Sequence, residues 1–505
     1  MNKFFNNNWF KTIVITICSI SIGFLSIYLM VEKVNYILKL LTFIGSFSFS
    51  FLFLFRKYDG IIEYIKNNNY FGVILFVLGG LIFYLFKKYL FFMGFENRIL
   101  SWNYFYLITL PGFILIFSFF LCEFKKWIIS FVDDLSSSEK KIHIFISVIM
   151  IIVLYFLYRS KTIFYNGYDI VYSFDSKFVL NSILPKLYYY DIRHPLMSIL
   201  TFPVYSFVDF IFNQDLKVVI FQFINVQMIL VIGLELKKIT NNKYVYYMYL
   251  VSFPSLIFLL FLEKYVICIF LITTYLYNII IKKKNSYLLF PFIVGTMPTN
   301  IYTIVFEFFR NNDIKNKLLN VLKIGIICFL TFILFGRVHC FFNGIDEINK
   351  MKKSFASKNI TLVNKINSTS NMIEGSFIEL PSSYNNGKYL WNNILDRFSY
   401  LSVLVLIIMV FGLISALRKK NNYYLSFASA VIFSFVLFII LNWSTHESPL
   451  FSFCFSWAII PLFVCGIDYI LDCFKIKNKS YIYCLLIVSM FIINIYRLID
   501  ICKYY

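Results

Sequence analysis

The stretch TIVITICSISIGFLSIYLM, residues 12–30, holds 19 residues without a single charge. At 1.5 Å of rise per residue it makes a helix of about 29 Å, which matches the hydrocarbon thickness of a bilayer. A short basic start with Lys3 and Lys11 precedes it, but a small-residue cleavage site is missing, so the stretch is expected to remain as a membrane span. Similar apolar stretches of about 17 to 25 residues recur along the chain. The sequence therefore predicts an integral membrane protein that crosses a bilayer many times.

The composition points to the same class. Of 505 residues, 60% are hydrophobic and 14% are charged, whereas a soluble domain carries about 25% charged residues. Lysine and arginine outnumber the acidic residues by 47 to 26, an excess that fits cytoplasmic loops and anionic lipid head groups better than nucleic acid. An AT-rich coding bias would produce the same excess of lysine and the 21% aromatic content. Membrane lipids are thus expected partners, and nucleic acid is not.

The ten cysteines contain no Cys-x-x-Cys pair and lie mostly inside apolar stretches. They are expected to be small core residues, and neither a disulfide framework nor a zinc site is predicted.

The distribution of basic residues orients the loops, since short loops rich in lysine and arginine stay on the cytoplasmic side. With the amino terminus inside, residues 123–141 lie inside and residues 159–195 outside. Two apolar segments, residues 196–208 and 287–305, are interrupted by prolines, and interpreting both as broken or re-entrant keeps the later lysines inside. The predicted fold is an all-α polytopic membrane helix bundle of about 13 spans plus two broken or re-entrant helices and outer-face loops.

Four regions follow from this topology. Residues 1–141 hold amino-terminal membrane helices, and residues 142–336 form a membrane domain with an outer catalytic loop at 159–195. Residues 337–397 make a second outer loop, and residues 398–505 hold the carboxy-terminal helices. The expected location is the inner, cytoplasmic membrane.

Three distant segments share the predicted outer face: residues 159–195, residues 337–397 and the turn STHESP at 444–449. They contain three of the four histidines, each of which has an interfacial amphipathic role as its alternative. Asp191 and His194 could also flank the entry of a helix expected to begin at Pro195. Glu447 lies close to hydrocarbon on both sides, which is costly for a charge without a role or a partner, unless it is simply solvated in its turn.

Short motifs in these segments resemble bacterial polytopic glycosyltransferases of the GT-C type: Phe174-Asp175, His194-Pro195-Leu196, and the E-x-x-L-F-S of residues 447–452. The resemblance implies a lipid-linked sugar phosphate donor and an acidic residue in the first large outer loop that acts on the acceptor. Such loops often carry a second acidic residue two positions on, where this chain has Lys177, so a divalent metal is left open and no metal ligand is assigned.

The chemistry of sugar transfer needs a carboxylate to accept a proton and cations to stabilise the departing lipid phosphate. Asp175 and Glu447 are the expected catalytic residues. Substrate contacts are expected from seven others: Asp169, Asp191, Arg193, His194, Arg337, His339 and His446. Gln222, Asn225 and Gln227 in the following span could bind sugar or phosphate, or equally could join helices.

The expected activity is transfer of a sugar from a polyprenyl-phosphate donor to a cell-surface glycan or lipid acceptor. A polymerase or ligase of lipid-linked surface polysaccharide is the alternative, because it too has many spans and a large late outer loop. A transporter or flippase is a third interpretation, favoured by the two broken helices but not by any internal repeat.

Overall fold

The structure is a computed structural model, and it describes these residues: 8–28, 30, 36–67, 129, 131–159, 164–165, 168–169, 172, 179, 194–212, 214–281, 287–310, 314–337, 349, 360–385, 388–392, 394–441 and 448–502. Almost all of them lie in helices, so the all-α fold is confirmed. The helices are α1 Asn8–Tyr28, α2 Tyr36–Asn67, α3 Ser137–Arg159, α4 Met197–Ile211, α5 Gln214–Thr240, α6 Lys243–Val251, α7 Phe253–Leu260, α8 Lys264–Ile280, α9 Phe290–Thr296, α10 Phe306–Arg310, α11 Ile314–Leu334, α12 Leu362–Gly375, α13 Tyr400–Arg418, α14 Asn422–Phe435, α15 Ser448–Cys473 and α16 Lys479–Cys502.

In the described part of the chain, four short strands form two antiparallel hairpins. In the first, β1 Phe164–Tyr165 pairs with β2 Tyr168–Asp169. In the second, β3 Ser382–Asn385 pairs with β4 Lys388–Trp391, with Ser382 opposite Trp391.

Seven of the described helices are long and apolar enough to cross a membrane, counting α14 together with the π-helical turn Val436–Ile440 that continues it. The number is eight if the bent pair α6 and α7 makes one span. The chain is therefore a multi-pass membrane protein. The expectation of about 13 spans is not confirmed by the described helices and stays a prediction.

Residues 287–305 are broken, as the prolines predicted. Helix α9 ends at Thr296, Met297 is extended, and a 3-10 helix, Pro298–Val305, continues into α10. The cause is local: Pro298 has no N–H to donate and pushes the residue before it into an extended conformation.

Residues 196–208 behave differently, because α4 runs without interruption through Pro203. Its 15 residues are too few for a comfortable crossing, so the expected re-entrant path stays a prediction. A break that the sequence analysis did not predict lies between α6 and α7, which meet at 56°. There Ser252 is extended and Pro254 occupies the first turn of α7.

The chain forms two compact units, each assembled from separate segments. The first comprises Met1–Phe145, Leu184–Gln214 and Ile326–Gly344, and the second comprises Ile146–Ile183, Asp215–Gly325 and Ile345–Tyr505. In the first unit α1 packs on α2 through a buried core of Ile15, Cys18, Ile22, Leu54 and Tyr58.

In the second unit α13 and α15 make their closest approach at two glycines. A Cβ added to Gly466 would lie 1.9 Å from the carbonyl oxygen of Ile408, and one added to Gly412 would lie 2.3 Å from that of Leu462. Small residues at such a crossing let two helix backbones touch, which drives association of helices in lipid.

Candidate functional site

Most of the predicted site residues lie outside the described part of the chain: Asp175, Asp191, Arg193, His339, His446 and Glu447. Asp169 ends strand β2, opposite Phe164, and its side chain is likewise outside the description. His194 and Arg337 are described, and both are buried in the first unit.

Arg337 reaches the entry of α4. Its Nε donates a hydrogen bond to the carbonyl oxygen of Pro195 at 3.1 Å, beside His194. Helix α11 ends just before it in a turn in which Gly336 has φ 65° and donates to Ile333, while the N–H of Arg337 donates to Phe332. This glycine-terminated arrangement satisfies the last carbonyls of α11 and directs Arg337 inward.

The entry of α4 differs from the expectation in one respect. The helix begins at Met197 and not at Pro195, and Pro195 and Leu196 form a turn before it. The N–H of Met197 donates to the carbonyl of His194 at 3.2 Å. A buried guanidinium beside a helix amino terminus is a favourable environment for a phosphate oxygen.

A second polar site lies in the second unit, and we call it the tyrosine–glutamate cluster: Tyr172, Glu379, Ser382 and Trp391. The hydroxyl of Tyr172 donates to Oε1 of Glu379, and Ser382 Oγ donates to the same oxygen at 2.5 Å. Glu379 is 4% exposed, and its Oε2 accepts no hydrogen bond from the described residues. The cluster thus connects the predicted outer loop 159–195 with the predicted outer loop 337–397.

Tyr172 is also held by its ring and its backbone. The ring stacks on Trp391 with centroids 4.2 Å apart and an angle of 8° between planes. The N–H donates to the carbonyl of Tyr389 at 2.8 Å. Its φ of 51° is in the left-handed region, which a bulky residue adopts only when its surroundings fix it.

Asn494 of α16 ties the cluster to the membrane helices. Its Nδ2 donates to the carbonyls of Val251 at 2.9 Å and of Phe377 at 2.8 Å, and its Oδ1 accepts from the N–H of Glu379 at 3.1 Å. Val251 is the last residue of α6, so this side chain joins the unpredicted helix break to the segment that carries Glu379.

Burial dominates the electrostatics of this cluster. It raises the pKa of the Glu379 carboxyl above its ordinary value, while the hydroxyl groups of Ser382 and Tyr172 and the charge of Arg497 oppose that rise. Burial, followed by the charge of Glu379, raises the pKa of Tyr172 well above its usual range. Tyr172 is therefore a hydrogen-bond donor at neutral pH.

The polar side chains of α5 join helices. Gln222 and Asn225 donate to the carbonyl of Phe258 at the end of α7, at 2.7 and 3.0 Å, and Gln227 pairs with Ser147 of α3. Of the two interpretations given for them, these contacts show the structural one. Among the described residues there is also no group of three or more His, Cys, Asp or Glu side chains placed to hold a metal ion.

The sequence analysis missed Tyr172, Glu379, Ser382 and Asn494. Only Asn494 carried a usable signal, since a lone asparagine within the apolar run of α16 needs partners in the protein. Tyr172 and Glu379 are 207 residues apart, and no spacing rule connects them.

No protein-family model matches the sequence, and comparison with curated proteins and with solved structures gives no match either.

Proposed function

We propose that the protein is a membrane glycosyltransferase of the GT-C type. It moves a sugar from a polyprenyl-phosphate donor to a glycan or lipid acceptor on the outer face of the inner membrane. The observation that carries the proposal is the contact of Tyr172 with Glu379, which joins the two loops assigned to that face. Tyr172 lies three positions before Asp175, the expected base.

In this proposal Asp175 accepts the proton of the acceptor hydroxyl while the oxygen of that hydroxyl attacks the sugar's anomeric carbon. The bond from that carbon to the lipid phosphate breaks, and the phosphate leaves with the bonding electrons. Arg337 and His194 supply positive charge and hydrogen-bond donors for phosphate, with Arg193 and His339 in the same role. Glu447 is the second catalytic residue. Substrate contacts to the sugar or acceptor come from Asp169, Asp191 and His446.

The proposed architecture keeps about 13 spans, with the broken segment 287–305 and the re-entrant segment 196–208 beside the donor groove. Such segments favour a transporter or flippase as a second candidate, because discontinuous helices often line a transport path. The two functions differ in their product: a transferase cleaves the donor, whereas a flippase returns it intact.

The test uses the purified full-length protein in vesicles that contain polyprenyl-phosphate sugars and acceptor lipids. Asp175→Asn should reduce transfer by about 10²- to 10⁴-fold, the usual contribution of a general base. The matched control is Asp396→Asn, which changes an exposed carboxylate of the other loop and should leave the rate unchanged. Retention of more than half of the activity by Asp175→Asn, or recovery of intact donor in the opposite leaflet, would contradict the proposal.

A further inference from the structure

The last four helices of the second unit are joined in pairs by very short connections. Only residues 419–421 lie between α13 and α14, and only residues 474–478 lie between α15 and α16. All four helices are long and apolar enough to cross a membrane, and a connection of this length cannot cross back. In each pair the joined ends therefore lie on the same face of the membrane.

Contacts between α13 and α15 place the two connections on one face. The helix backbones touch at Gly412 and Gly466, which lie within about two turns of the carboxy-terminal ends. Closer to those ends, Nη1 of Arg418 donates a hydrogen bond to the hydroxyl of Tyr469 at 2.5 Å. The two connections thus form one surface at the level where the hydrocarbon of the bilayer ends.

This surface is strongly positive, and we call it the basic end. Its six basic residues are Arg418, Lys419, Lys420, Lys475, Lys477 and Lys479. Two acidic residues, Asp468 and Asp472, lie in the same stretch, and Nζ of Lys479 is 3.7 and 2.6 Å from their carboxylate oxygens. Lys420, Lys475 and Lys477 are exposed and make no ion pair within the described part of the chain. The basic end therefore carries charge that the described residues do not neutralise.

Two of these lysines have a backbone conformation that lysine rarely adopts. Lys420 has φ 49° and Lys475 has φ 53°, and each follows a helix whose last carbonyls accept hydrogen bonds from its turn. Glycine is the usual residue at such a position, because a side chain makes the left-handed region costly. A lysine at both positions sacrifices backbone stability, which indicates that its charge is used.

Large apolar side chains lie beside these charges. Phe474 precedes Lys475 and is 74% exposed, and Leu417 precedes Arg418 and is 57% exposed. An exposed phenylalanine is unfavourable in water but favourable at a bilayer surface, where its ring enters the acyl region while a neighbouring ammonium stays among the head groups. The pattern is complementary to a phospholipid, in which a phosphate is joined to hydrocarbon.

We infer that the basic end is a docking surface for an anionic phospholipid, with the phosphate on Lys420 and Lys475 and the acyl chains beside Leu417 and Phe474. Positively charged surfaces at the ends of membrane helices attract anionic head groups. The inference goes beyond the proposed function. Helix α13 leads from the predicted outer loop 337–397 to the basic end, so this lipid binds on the face opposite to the one proposed for sugar transfer.

The first test is thermal unfolding of the purified full-length protein in detergent. Added phosphatidylglycerol should raise the unfolding temperature more than the same amount of phosphatidylcholine, since a ligand of the folded state stabilises it. The double variant Lys420→Gly with Lys475→Gly should unfold at the same or a higher temperature without lipid, because glycine accepts the left-handed conformation, and should lose the phosphatidylglycerol shift.

The chain offers a matched control for this variant. Asn241 after α5 is also left-handed, with φ 51°, but carries no charge, so Asn241→Gly should keep the full shift. Lys420→Arg with Lys475→Arg keeps both charges and should keep it too. If the lysines served only the dipoles of α13 and α15, the double glycine variant would unfold earlier without lipid and keep the shift, which would overturn the inference.

The second test counts bound lipid by native mass spectrometry. The double glycine variant should bind phosphatidylglycerol about 30-fold more weakly than the wild type, since each lysine at a membrane surface contributes a factor of about five. Equal binding by the two proteins would contradict the docking surface. Inorganic phosphate should give no stabilisation of the wild type, and a shift as large as that with phosphatidylglycerol would mean that the surface binds a free anion and not a lipid.

Discussion

Two buried carboxyl groups of the second unit have the same bonding pattern and different surroundings. Glu235, in the span formed by α5, accepts hydroxyl hydrogen bonds from Thr273 at 2.8 Å and Thr274 at 3.3 Å, and its Oε1 has no partner among the described residues. Glu379, outside the spans, accepts two hydroxyl groups and also leaves one oxygen without a described partner.

What differs is the structure that each carboxyl joins. Glu235 connects α5 to α8, two regular helices whose backbones are held by their own hydrogen bonds. Glu379 connects a strained loop residue to a hairpin, neither of which is itself part of a helix. We expect a buried carboxyl between two regular helices to contribute little net free energy, and one between irregular segments to have more influence on where those segments lie.

The largest expected difference between Glu235 and Glu379 is in the activity of their variants. Glu235→Leu should leave sugar transfer within twofold of the wild type, whereas Glu379→Leu should lower it by about 10²-fold. The measurement is turnover of both variants in the same vesicles, at matched protein levels. If Glu235→Leu lost as much turnover as Glu379→Leu, the two carboxyl groups would not differ in role, and Glu235 would also be needed for activity.

Asn494→Ala tests how much the hydrogen bonds between the tyrosine–glutamate cluster and the helices contribute to stability. It leaves the carbonyl of Val251 and the N–H of Glu379 without the bonds that Asn494 provides, and should lower the free energy of unfolding by about 2 to 4 kcal/mol. Thermal unfolding in detergent measures the change. Asn392→Ala, at an exposed asparagine of the hairpin region, should change the unfolding temperature little. Equal shifts in unfolding temperature for the two variants would contradict a stabilising role for Asn494.

The pH dependence should also separate the cluster from the helices. Because burial raises the pKa of Glu379, the folded cluster holds its proton more tightly than the open loop does. Stability of the cluster is therefore greatest below the ordinary carboxyl pKa, and it decreases as the pH rises from there through the raised value. Trypsin should cut residues 159–195 faster at about pH 8 than at about pH 5 after correction for its own pH profile. Glu379→Gln should remove the difference, and a difference that persisted would have another source.

The smallest effect is expected from Glu235→Gln. The amide carbonyl can still accept from both threonines, so the free energy of unfolding should change by less than about 1 kcal/mol. Thermal unfolding provides the measurement, with Glu235→Leu beside it. A large loss in the Gln variant alone would mean that the charge of Glu235 has a partner beyond the two threonines.

The sequence predicted the fold better than the site. Long apolar runs identify membrane helices directly, and Pro298 identified the break at Met297, because proline acts on its own neighbours. Pro203 does not interrupt α4, whose re-entrant path stays a prediction, and the bend at Ser252 was missed although Pro254 lies beside it. Local chemistry indicates where a helix can break, and tertiary packing decides whether it does.

For the site, the predicted orientation of the loops stays a prediction. The orientation of loops placed His194 and Arg337 on one face, and Arg337 does contact the neighbour of His194. The bond between Tyr172 and Glu379 could not be inferred, because a contact between loops depends on how the whole helix bundle closes. Whether these residues bind substrate stays a prediction.

The broken segment formed by α9, the 3-10 helix and α10 has a consequence for synthesis. Tyr302 in its middle stacks on Phe433 of α14, with centroids 4.3 Å apart. The ribosome makes Phe433 on the order of ten seconds after Tyr302, at the usual 5 to 20 residues per second. Until α14 is made, Tyr302 lacks the ring that covers it, and the segment packs on α8, which is translated before it. The packing of this segment is therefore completed in two stages, first on α8 and later on α14.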